Sequence, residues 1–416
     1  TMNNKSIAAI VVVVIVIIAA AAVAITQMGG NGNSNTDNGV SVVARVNTDG
    51  SGIFLKASED VSNYMTAVDS DPGDGFYFEV DGQGYVFNAD YWEGKVFGTP
   101  GAATIQHVQL NQIVDAMGFE FEQYVAGQTP AANTVYYIPG VNTYQMFESQ
   151  LVNNPAMVGA FVWEAQYSVA LSDNCKGLAV TNDMFPGHTC CIIGAQNSYI
   201  TTHQDETVRF LAAYVESVKN MTAAIANHVE GEKDELMQIA MNNVTMPMDM
   251  TEAEKIEAIE SAFDIVVYRY ADVDTAANPL EQLTADMAQL AEDFYASGQV
   301  RYDAEGMGFD SYEQYASELV QGQYMHDALN YEKQDSYTTA NITVAVLAGD
   351  IHQLAIHYGM ATGIFADYGI NITISNQSAG PAAFTAMANG AAQFAFLGAP
   401  PMTINAINGG YITPDN

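Results

Sequence analysis

The fold of this chain is decided by residues 341–410, which read NITVAVLAGDIHQLAIHYGMATGIFADYGINITISNQSAGPAAFTAMANGAAQFAFLGAPPMTINAINGG. Residues 342–347 form an alternating β-branched run that predicts a strand and leads into a glycine turn. The pattern then predicts a helix, a second strand at 370–374, a second helix from Ser378-Ala379-Gly380-Pro381 and a third strand at 394–397. A βαβαβ order of this kind predicts a parallel sheet in an α/β protein.

Motifs at four places in this segment occur in a characteristic order. They are GDIHQ at 349–353, GIFADYGI at 363–370, SAGPAAFTAMANG at 378–390 and LGAPP at 397–401. In this combination the segment resembles the opening lobe of ABC-transporter solute-binding proteins of the nitrate, taurine, sulfonate and thiamine-precursor family. The resemblance covers about 70 residues. It implies a two-lobe type II periplasmic-binding-protein fold.

The second part of the same family lies earlier in the chain. The stretches that resemble it are VSVVARVNTDGSG at 40–52, GKVFGTPGAATIQH at 94–107, AFVWE at 160–164, PGHTCC at 186–191 and a long helix at 205–228. Joined as 341–410 followed by 40–330, the pieces complete one binding protein. We therefore expect a circularly permuted fold, which is tolerated where the natural termini lie close together.

Two alternatives to a simple permutation stay open. Residues 341–416 are also what the first half of a second tandem copy would look like. Alternatively, the segment completes lobe one of a neighbouring subunit, because swapping it between subunits would use the same contacts and produce a polymer.

The resemblance divides the chain into consecutive segments. They are a hydrophobic N-terminal helix at 1–28, a linker at 29–39, part of lobe one at 40–97 with an inserted acidic and aromatic hairpin at 61–92, lobe two at 98–203, helices returning to lobe one at 204–330, a linker at 331–340 and the first part of lobe one at 341–416. Alternation around Asp81-Gly82 predicts the inserted hairpin. The nearby spacing of Asp69, Asp71 and Asp74 suggests a calcium loop only weakly, since the distal Glu is missing.

Charge and motif content exclude several functional classes. The chain has 12 Lys plus Arg against 48 Asp plus Glu, a formal net charge of −36, so its surface repels nucleic acid and anionic lipid. Its 416 residues are enough for two lobes with separate cores. It has no Gly-x-Ser-x-Gly elbow, no phosphate loop with its Lys, no HExxH and no CxxC pair. We therefore expect neither an enzyme nor a bound metal or cofactor.

Residues 7–25 form an unbroken apolar run preceded by Lys5, which is long enough to span a bilayer. It predicts a membrane anchor, a filament core of the type IV pilin kind or a cleaved signal segment. The first two interpretations carry equal weight. Each of them places the protein at the cell surface or outside the cell.

Sequons and cysteines fit an extracytoplasmic location. The candidate glycan acceptors are Asn220, Asn243, Asn341, Asn371 and Asn376. The cysteines are Cys175, Cys190 and Cys191, so one disulfide from Cys175 to Cys190 or Cys191 is an option. Burial of the adjacent pair as small hydrophobic side chains is at least as well supported.

The resemblance also assigns a ligand site to the cleft between the lobes. Helix starts at Thr99–Thr104 and Ser378–Gly380 carry small residues and hydroxyls, which favour a polar or anionic group. The residues assigned to the site by motif position are Asp350, His352, Ser378, Gly380, Gly398, Asn47 and Thr48 from lobe one and Thr99, Thr104, His107, Trp163 and Glu164 from lobe two. As an alternative, the hydroxyls only cap helices and Trp163 only packs.

The sequence supports two alternative functions. In one, the protein captures a small polar or anionic solute between its lobes and delivers it to an ABC permease. In the other, the binding-protein fold is a structural subunit of an extracellular filament, which polymerises through residues 7–25, through a swapped C-terminal segment, or both.

Overall fold

The computed structural model describes residues 39–273 and 277–414. It contains about 44% helix and 23% strand, which confirms the predicted α/β class. The predicted helix at 1–28, with its apolar run, lies outside the described residues. Within them, no helix combines the length and the apolar character that crossing a membrane requires.

The strands of the described residues form three sheets. They are β1 (Val40–Asp49), β2 (Ser51–Leu55), β3 (Met65–Val68), β4 (Tyr77–Val80), β5 (Gln83–Phe87), β6 (Val96–Gly98), β7 (Glu120–Gln123), β8 (Thr134–Ile138), β9 (Met157–Trp163), β10 (Lys176–Val180), β11 (Thr189–Gln196), β12 (Val266–Tyr268), β13 (Ala340–Leu347), β14 (Ile370–Gln377) and β15 (Phe394–Gly398).

Helices connect the strands and cover the sheets. They are α1 (Val61–Tyr64), α2 (Ala89–Trp92), α3 (Ile105–Ala116), α4 (Tyr144–Asn153), α5 (Gln166–Ser172), α6 (Thr181–Met184), α7 (Asn197–Thr202), α8 (Gln204–Asn227), α9 (Glu235–Asn243), α10 (Glu252–Ile265), α11 (Glu281–Ala296), α12 (Ala304–Met307), α13 (Tyr312–Leu319), α14 (Gly322–Leu329), a 3₁₀ turn (Ile351–Gln353), α15 (Leu354–Ala361), α16 (Ile364–Asp367), α17 (Gly380–Ala388) and α18 (Ala399–Gly409).

The first sheet has the strand order β12-β1-β11-β15-β13-β14. β13 pairs in parallel with both β14 and β15, which confirms the βαβαβ unit predicted for residues 341–410. β15 in turn runs antiparallel to β11. The C-terminal segment therefore completes the first sheet within its own chain.

Aromatic packing explains why the C-terminal segment docks firmly. Phe394 of β15 stacks on Phe210 of α8 with 4.3 Å between ring centroids, and both rings are fully buried. Tyr214, one turn further along α8, meets Phe396 edge to face. The long helix predicted from Asp205 thus spans the face of a sheet whose strands come from both ends of the chain.

The second sheet has the order β10-β2-β9-β6-β8-β7. β6, β8 and β9 are parallel neighbours, while β2 runs antiparallel to β9. Its two faces have separate apolar clusters, one around Phe97 and Phe161 and the other around Phe54 and Phe147. A core distinct from that of the first sheet is what a chain of this length was expected to form.

The chain crosses from the first sheet to the second at Gly50, since β1 belongs to the first sheet and β2 to the second. We call Gly50 the crossing, and the segment by which the chain goes back to the first sheet the return crossing. The chain returns between β10 and β11, across residues 181–188. This differs from the sequence-based division, which placed the changes at 97–98 and after 203. Asn47-Thr48-Asp49-Gly50 interrupts the apolar run from 40 to 55 with an Asp-Gly turn signal, but no local pattern tells that the strand after it joins a different sheet.

The predicted hairpin in the insertion is confirmed. β4 and β5 pair across Asp81 and Gly82, which both have positive φ, and β3 adds a third strand. The insertion was assigned to lobe one, but Phe78 and Phe87 pack with Trp92 in a cluster of the second sheet. Aromatic burial against that sheet therefore decides its position.

Helices after β11 follow most of the predictions. Thr251-Glu252-Ala253-Glu254 has the sequence pattern of a capping box, and Thr251 and Glu254 form this box at the start of α10. The sequence of residues 311–329 predicts one helix, and this is wrong, because the structure has α13 and α14 with a break between them. At the break, Val320 bridges to Val42 and the Gln321 amide donates to the Val42 carbonyl oxygen, so pairing with β1 replaces helical bonding there.

Candidate functional site

The carboxyl-terminal edges of the two sheets meet at Gly50. The Gly50 carbonyl oxygen accepts a hydrogen bond from the Glu164 amide, which follows β9, at 2.9 Å. It also lies 3.0 Å from Nε2 of His352, in the 3₁₀ turn that follows β13. One backbone oxygen is therefore held from both sheets at once.

His352 is positioned to carry a proton on both ring nitrogens. Its Nδ1 lies 2.7 Å from the Asp350 carboxylate, and its Nε2 faces the Gly50 carbonyl oxygen. Burial opposes the charge, but the Asp350 carboxylate and neighbouring groups outweigh it and raise the pKa of His352 to about 9. Because both partners only accept hydrogen bonds, the imidazolium form alone satisfies them both.

Glu164 is a second buried ionisable group at this point. Its side chain is almost fully buried and accepts hydrogen bonds from the amide and hydroxyl of Ser168, at 3.2 and 3.0 Å. Burial raises the pKa of Glu164 to about 7, against the effect of the Ser168 hydrogen bonds. Near neutral pH the group can therefore exchange a proton.

Hydroxyl and amide groups surround the start of β2. Gln106, in the first turn of α3, donates to the Ser51 hydroxyl at 2.8 Å. The Thr181 hydroxyl accepts from the Ser51 amide and donates to the Ser51 carbonyl oxygen, each at 3.1 Å. The beginning of α3 and the return crossing are thereby tied to the same place as Gly50.

The structure brings only some of the predicted ligand residues together. Asp350, His352 and Glu164 meet at Gly50, but they are occupied with one another and with backbone groups. On the first sheet, Asn47 and Gly398 both pair with Cys191, so they lie in one row across three strands.

The other predicted ligand residues are more scattered. Ser378 is exposed, and Gly380 packs against Pro401. The Thr104 hydroxyl donates to the Gly101 carbonyl oxygen, and Trp163 is half-buried in register with Ser51. His107 contacts Thr99 at 3.3 Å and packs edge to face on Tyr137, and burial lowers the pKa of His107 to about 4.

A pocket opens beside this crossing, between α3 and α11. The space in it that water-sized molecules can occupy is about 140 Å³, which suits a small solute. The polar side chains that line it include Gln109, His188, Asp286 and Asp293. None of these was predicted, because α11 lies far from α3 in sequence and only folding brings the two helices together.

Several buried polar atoms near the crossing lack partners. They are Asn47 Oδ1, Thr48 Oγ1, Gln109 Oε1 and His188 Nε2. A buried polar atom without a hydrogen bond costs about 1–3 kcal/mol, so such atoms collect where a ligand or water supplies the missing bond. Asn47 and Thr48 were predicted ligand residues, whereas Gln109 and His188 were missed.

The optional disulfide from Cys175 to Cys190 or Cys191 is not formed, and all three cysteines are free. Cys175 immediately precedes β10 of the second sheet, whereas Cys190 and Cys191 are buried on β11 of the first. Their two sulfur atoms lie 3.8 Å apart. The alternative of buried small hydrophobic side chains therefore describes this pair.

Four of the candidate glycan acceptors are accessible. Asn220, Asn341, Asn371 and Asn376 are exposed, whereas Asn243 is half-buried at the end of α9 and donates to the Ile239 carbonyl oxygen at 2.8 Å. Asn371 and Asn341 lie in register on neighbouring strands and are hydrogen-bonded at 2.8 Å. A glycan on either would cover the outer edge of the first sheet.

No cluster of three His, Cys, Asp or Glu side chains that could hold a metal ion occurs within residues 39–273 and 277–414. The loop with Asp69, Asp71 and Asp74 is exposed. Comparison of the chain with protein-family models, curated proteins and solved structures gives no match.

Proposed function

We propose that this chain is an extracytoplasmic solute-binding protein with a circularly permuted two-lobe fold, which captures a small polar solute between the lobes. The observation that carries the proposal is the meeting of two sheets at their carboxyl-terminal edges around Gly50. In open α/β sheets, ligands bind outside these ends of the strands. The pocket between α3 and α11 lies next to this meeting point.

The connections between the sheets support a closing motion. The strands of the two sheets are linked through Gly50 and through residues 181–188. Asp49 and Gly50 both have positive φ, at 61° and 92°, which marks a sharp change of direction between β1 and β2. Few linking segments of this kind are typical of hinges around which domains close on a ligand.

Delivery to an ABC permease follows from the resemblance to the transporter family. Attachment to a membrane rests on residues 7–25, which are outside the described residues. The filament alternative depends on the same apolar run. Its second route, exchange of residues 341–416, would replace the pairing of β15 with β11 of one chain by the same pairing between two chains.

Thermal unfolding in the presence of candidate solutes tests the proposal. The panel contains nitrate, sulfonates such as taurine, pyrimidines and small amines, and bound solute at 100 times its dissociation constant would stabilise the fold by about 2.7 kcal/mol. Every sample has the same ionic strength, because a chain with net charge −36 is stabilised by salt alone.

Small-angle scattering of the same samples measures closure. We expect a solute that raises the unfolding temperature to reduce the radius of gyration as well. A panel that changes neither quantity would count against solute binding. Large assemblies in the solute-free sample would favour the filament alternative.

A further inference from the structure

We propose that the pocket between α3 and α11 binds a small organic cation, with a primary ammonium or amidinium group directed at Asp293 and Gln109. This inference rests on the proposed solute-binding function and names the chemical class of the solute. It differs from the sequence-based expectation of a polar or anionic ligand.

One of the polar atoms without partners at the pocket is a fixed hydrogen-bond acceptor. Gln109 is 2% exposed, lies in the pocket wall, and its Oε1 has no partner. Nδ1 of His188 lies 3.0 Å from the Phe185 carbonyl oxygen and 3.5 Å from the Asp49 carboxylate, and its buried Nε2 also has no partner. A ligand that donates hydrogen bonds would satisfy Gln109 Oε1.

The charges at the pocket are negative. Asp286 and Asp293 line it, and none of the described residues that line it is Lys or Arg. Arg45 contacts Asp286 at 3.0 Å, but it also pairs with Asp272, so one cation is shared by two carboxylates. Asp293 accepts hydrogen bonds only from neutral amides, those of Gln289 at 2.9 Å and Gln112 at 3.4 Å. Its charge is therefore available to a cationic ligand.

The remaining walls fit the carbon part of such a solute. Ile105, Val108 and Leu290 line the pocket together with Phe185. An anion would meet two carboxylates and gain no compensating charge, which costs free energy in a partly desolvated site. An ammonium or amidinium group on a short apolar body matches both the acceptors and the walls.

The Gln112 contact to Asp293 also links the helices across the pocket, since α3 packs on the second sheet and α11 belongs to the core around the first. The unpartnered atoms of Gln109 and His188 are sealed from solvent in this conformation. A solute would therefore enter as the helices separate and would be enclosed as they close again.

Isothermal titration with matched pairs of solutes tests the inference. The pairs are propylammonium with butyrate and benzamidinium with benzoate, in which only the charged group differs. We expect the cations to bind and the anions not to bind, at an ionic strength of at least 0.15 M to screen general attraction to the acidic surface.

Variants of the full chain locate the site. We expect Asp293→Asn and Gln109→Leu each to weaken cation binding about tenfold or more, as the loss of a hydrogen bond to a charged group implies. The matched control is Glu292→Gln, which removes the same charge from an exposed position next to Asp293. The control should bind as the parent protein does, and thermal unfolding of each variant verifies its fold.

The outcomes separate this inference from the proposed function. If Asp293→Asn and Glu292→Gln weaken cation binding equally, binding comes from general attraction to the acidic surface, and the inference is overturned. Binding of butyrate, benzoate or nitrate in place of the cations would also overturn it, while leaving the solute-binding function standing. Failure of every solute in both panels would count against the inference and the function together.

Discussion

Nε2 of His352 lies 3.0 Å from the carbonyl oxygen of Gly50, and this contact joins residues 302 positions apart in the chain. It attaches the turn after β13, in the C-terminal segment, to the point where the chain leaves the first sheet for the second. The Asp350 carboxylate on the other side of the ring keeps the imidazole charged. The crossing is thus held by a buried ionic hydrogen bond.

We expect the free energy of unfolding to fall as the pH rises through the pKa of His352. The pKa of His352 is about 9 in the folded protein against its ordinary value of 6.5, so its contribution to stability is complete below pH 6.5 and is lost towards pH 9. The full change would be roughly 3 kcal/mol of unfolding free energy. Glu164, whose folded pKa is about 7 against 4.5, adds a loss in the same direction between those values.

Denaturant unfolding from pH 5 to 9.5 at constant high salt measures this dependence. His352→Gln should be less stable at pH 6 and should flatten the decline above pH 6.5. The exposed His203 supplies a control, His203→Gln, which should leave the profile as it is in the parent. An unchanged slope in His352→Gln would show that the contact does not hold a proton.

Replacing Gly50 by alanine should destabilise the crossing for two reasons. The residue has φ +92°, and a Cβ there would lie 2.5 Å from Nε2 of His352. Gly73→Ala is the matched control, since Gly73 has φ +79° with nothing within 4 Å of its Cβ position. We expect about 1 kcal/mol for the control and about 3 kcal/mol for Gly50→Ala, by chemical denaturation. Equal losses of stability in the two variants would mean that the His352 side chain moves away from the new Cβ at no cost in free energy.

Deleting residues 341–416 should remove β13, β14 and β15, half of the first sheet. We expect loss of cooperative unfolding and of hydrogen-exchange protection in β1 and β11, with protection retained in the second sheet. A milder variant, Phe394→Ala, should cost about 3–5 kcal/mol because Phe394 is fully buried against Phe210. The exposed Val152→Ala is its control, and a truncated chain that keeps full protection would contradict the prediction.

All three cysteines should react as free thiols. Alkylation in denaturant without reductant, followed by mass spectrometry, should modify Cys175, Cys190 and Cys191. The reduced sample provides the control and should give the same count. Recovery of only one modified cysteine before reduction would show a bridge, and peptide mapping would tell whether it joins Cys190 to Cys191 or either of them to Cys175.

Local sequence patterns were sufficient for most of the secondary structure. The β-branched run before Gly349 predicts β13, Pro381 marks the start of α17, Asp81-Gly82 predicts the β4–β5 turn, and Thr251 with Glu254 predicts the α10 cap. These features depend on residues a few positions apart, so the sequence contains all the information they need. The break between α13 and α14 was missed because a distant strand, β1, supplies the competing hydrogen bonds.

The candidate site was predicted only in part. Asp350, His352 and Glu164 were selected as individual residues, but their meeting at Gly50 depends on how two sheets dock. Gln109 and Asp293 escaped notice because a lone glutamine or aspartate on an amphipathic helix has no local pattern that separates it from a solvated face. Their importance arises from burial and from the absence of a partner for Gln109 Oε1, which only packing creates.

By itself, the sequence determined the α/β class, the parallel βαβαβ unit in the C-terminal segment and the acidic character of the surface, because these follow from local periodicity and composition. The tertiary structure decided that β15 of this segment pairs with β11, that the insertion packs on the second sheet and that the crossing falls at Gly50. Those features depend on contacts between residues far apart in sequence, whose free energy is set by mutual burial and hydrogen bonding in the folded chain.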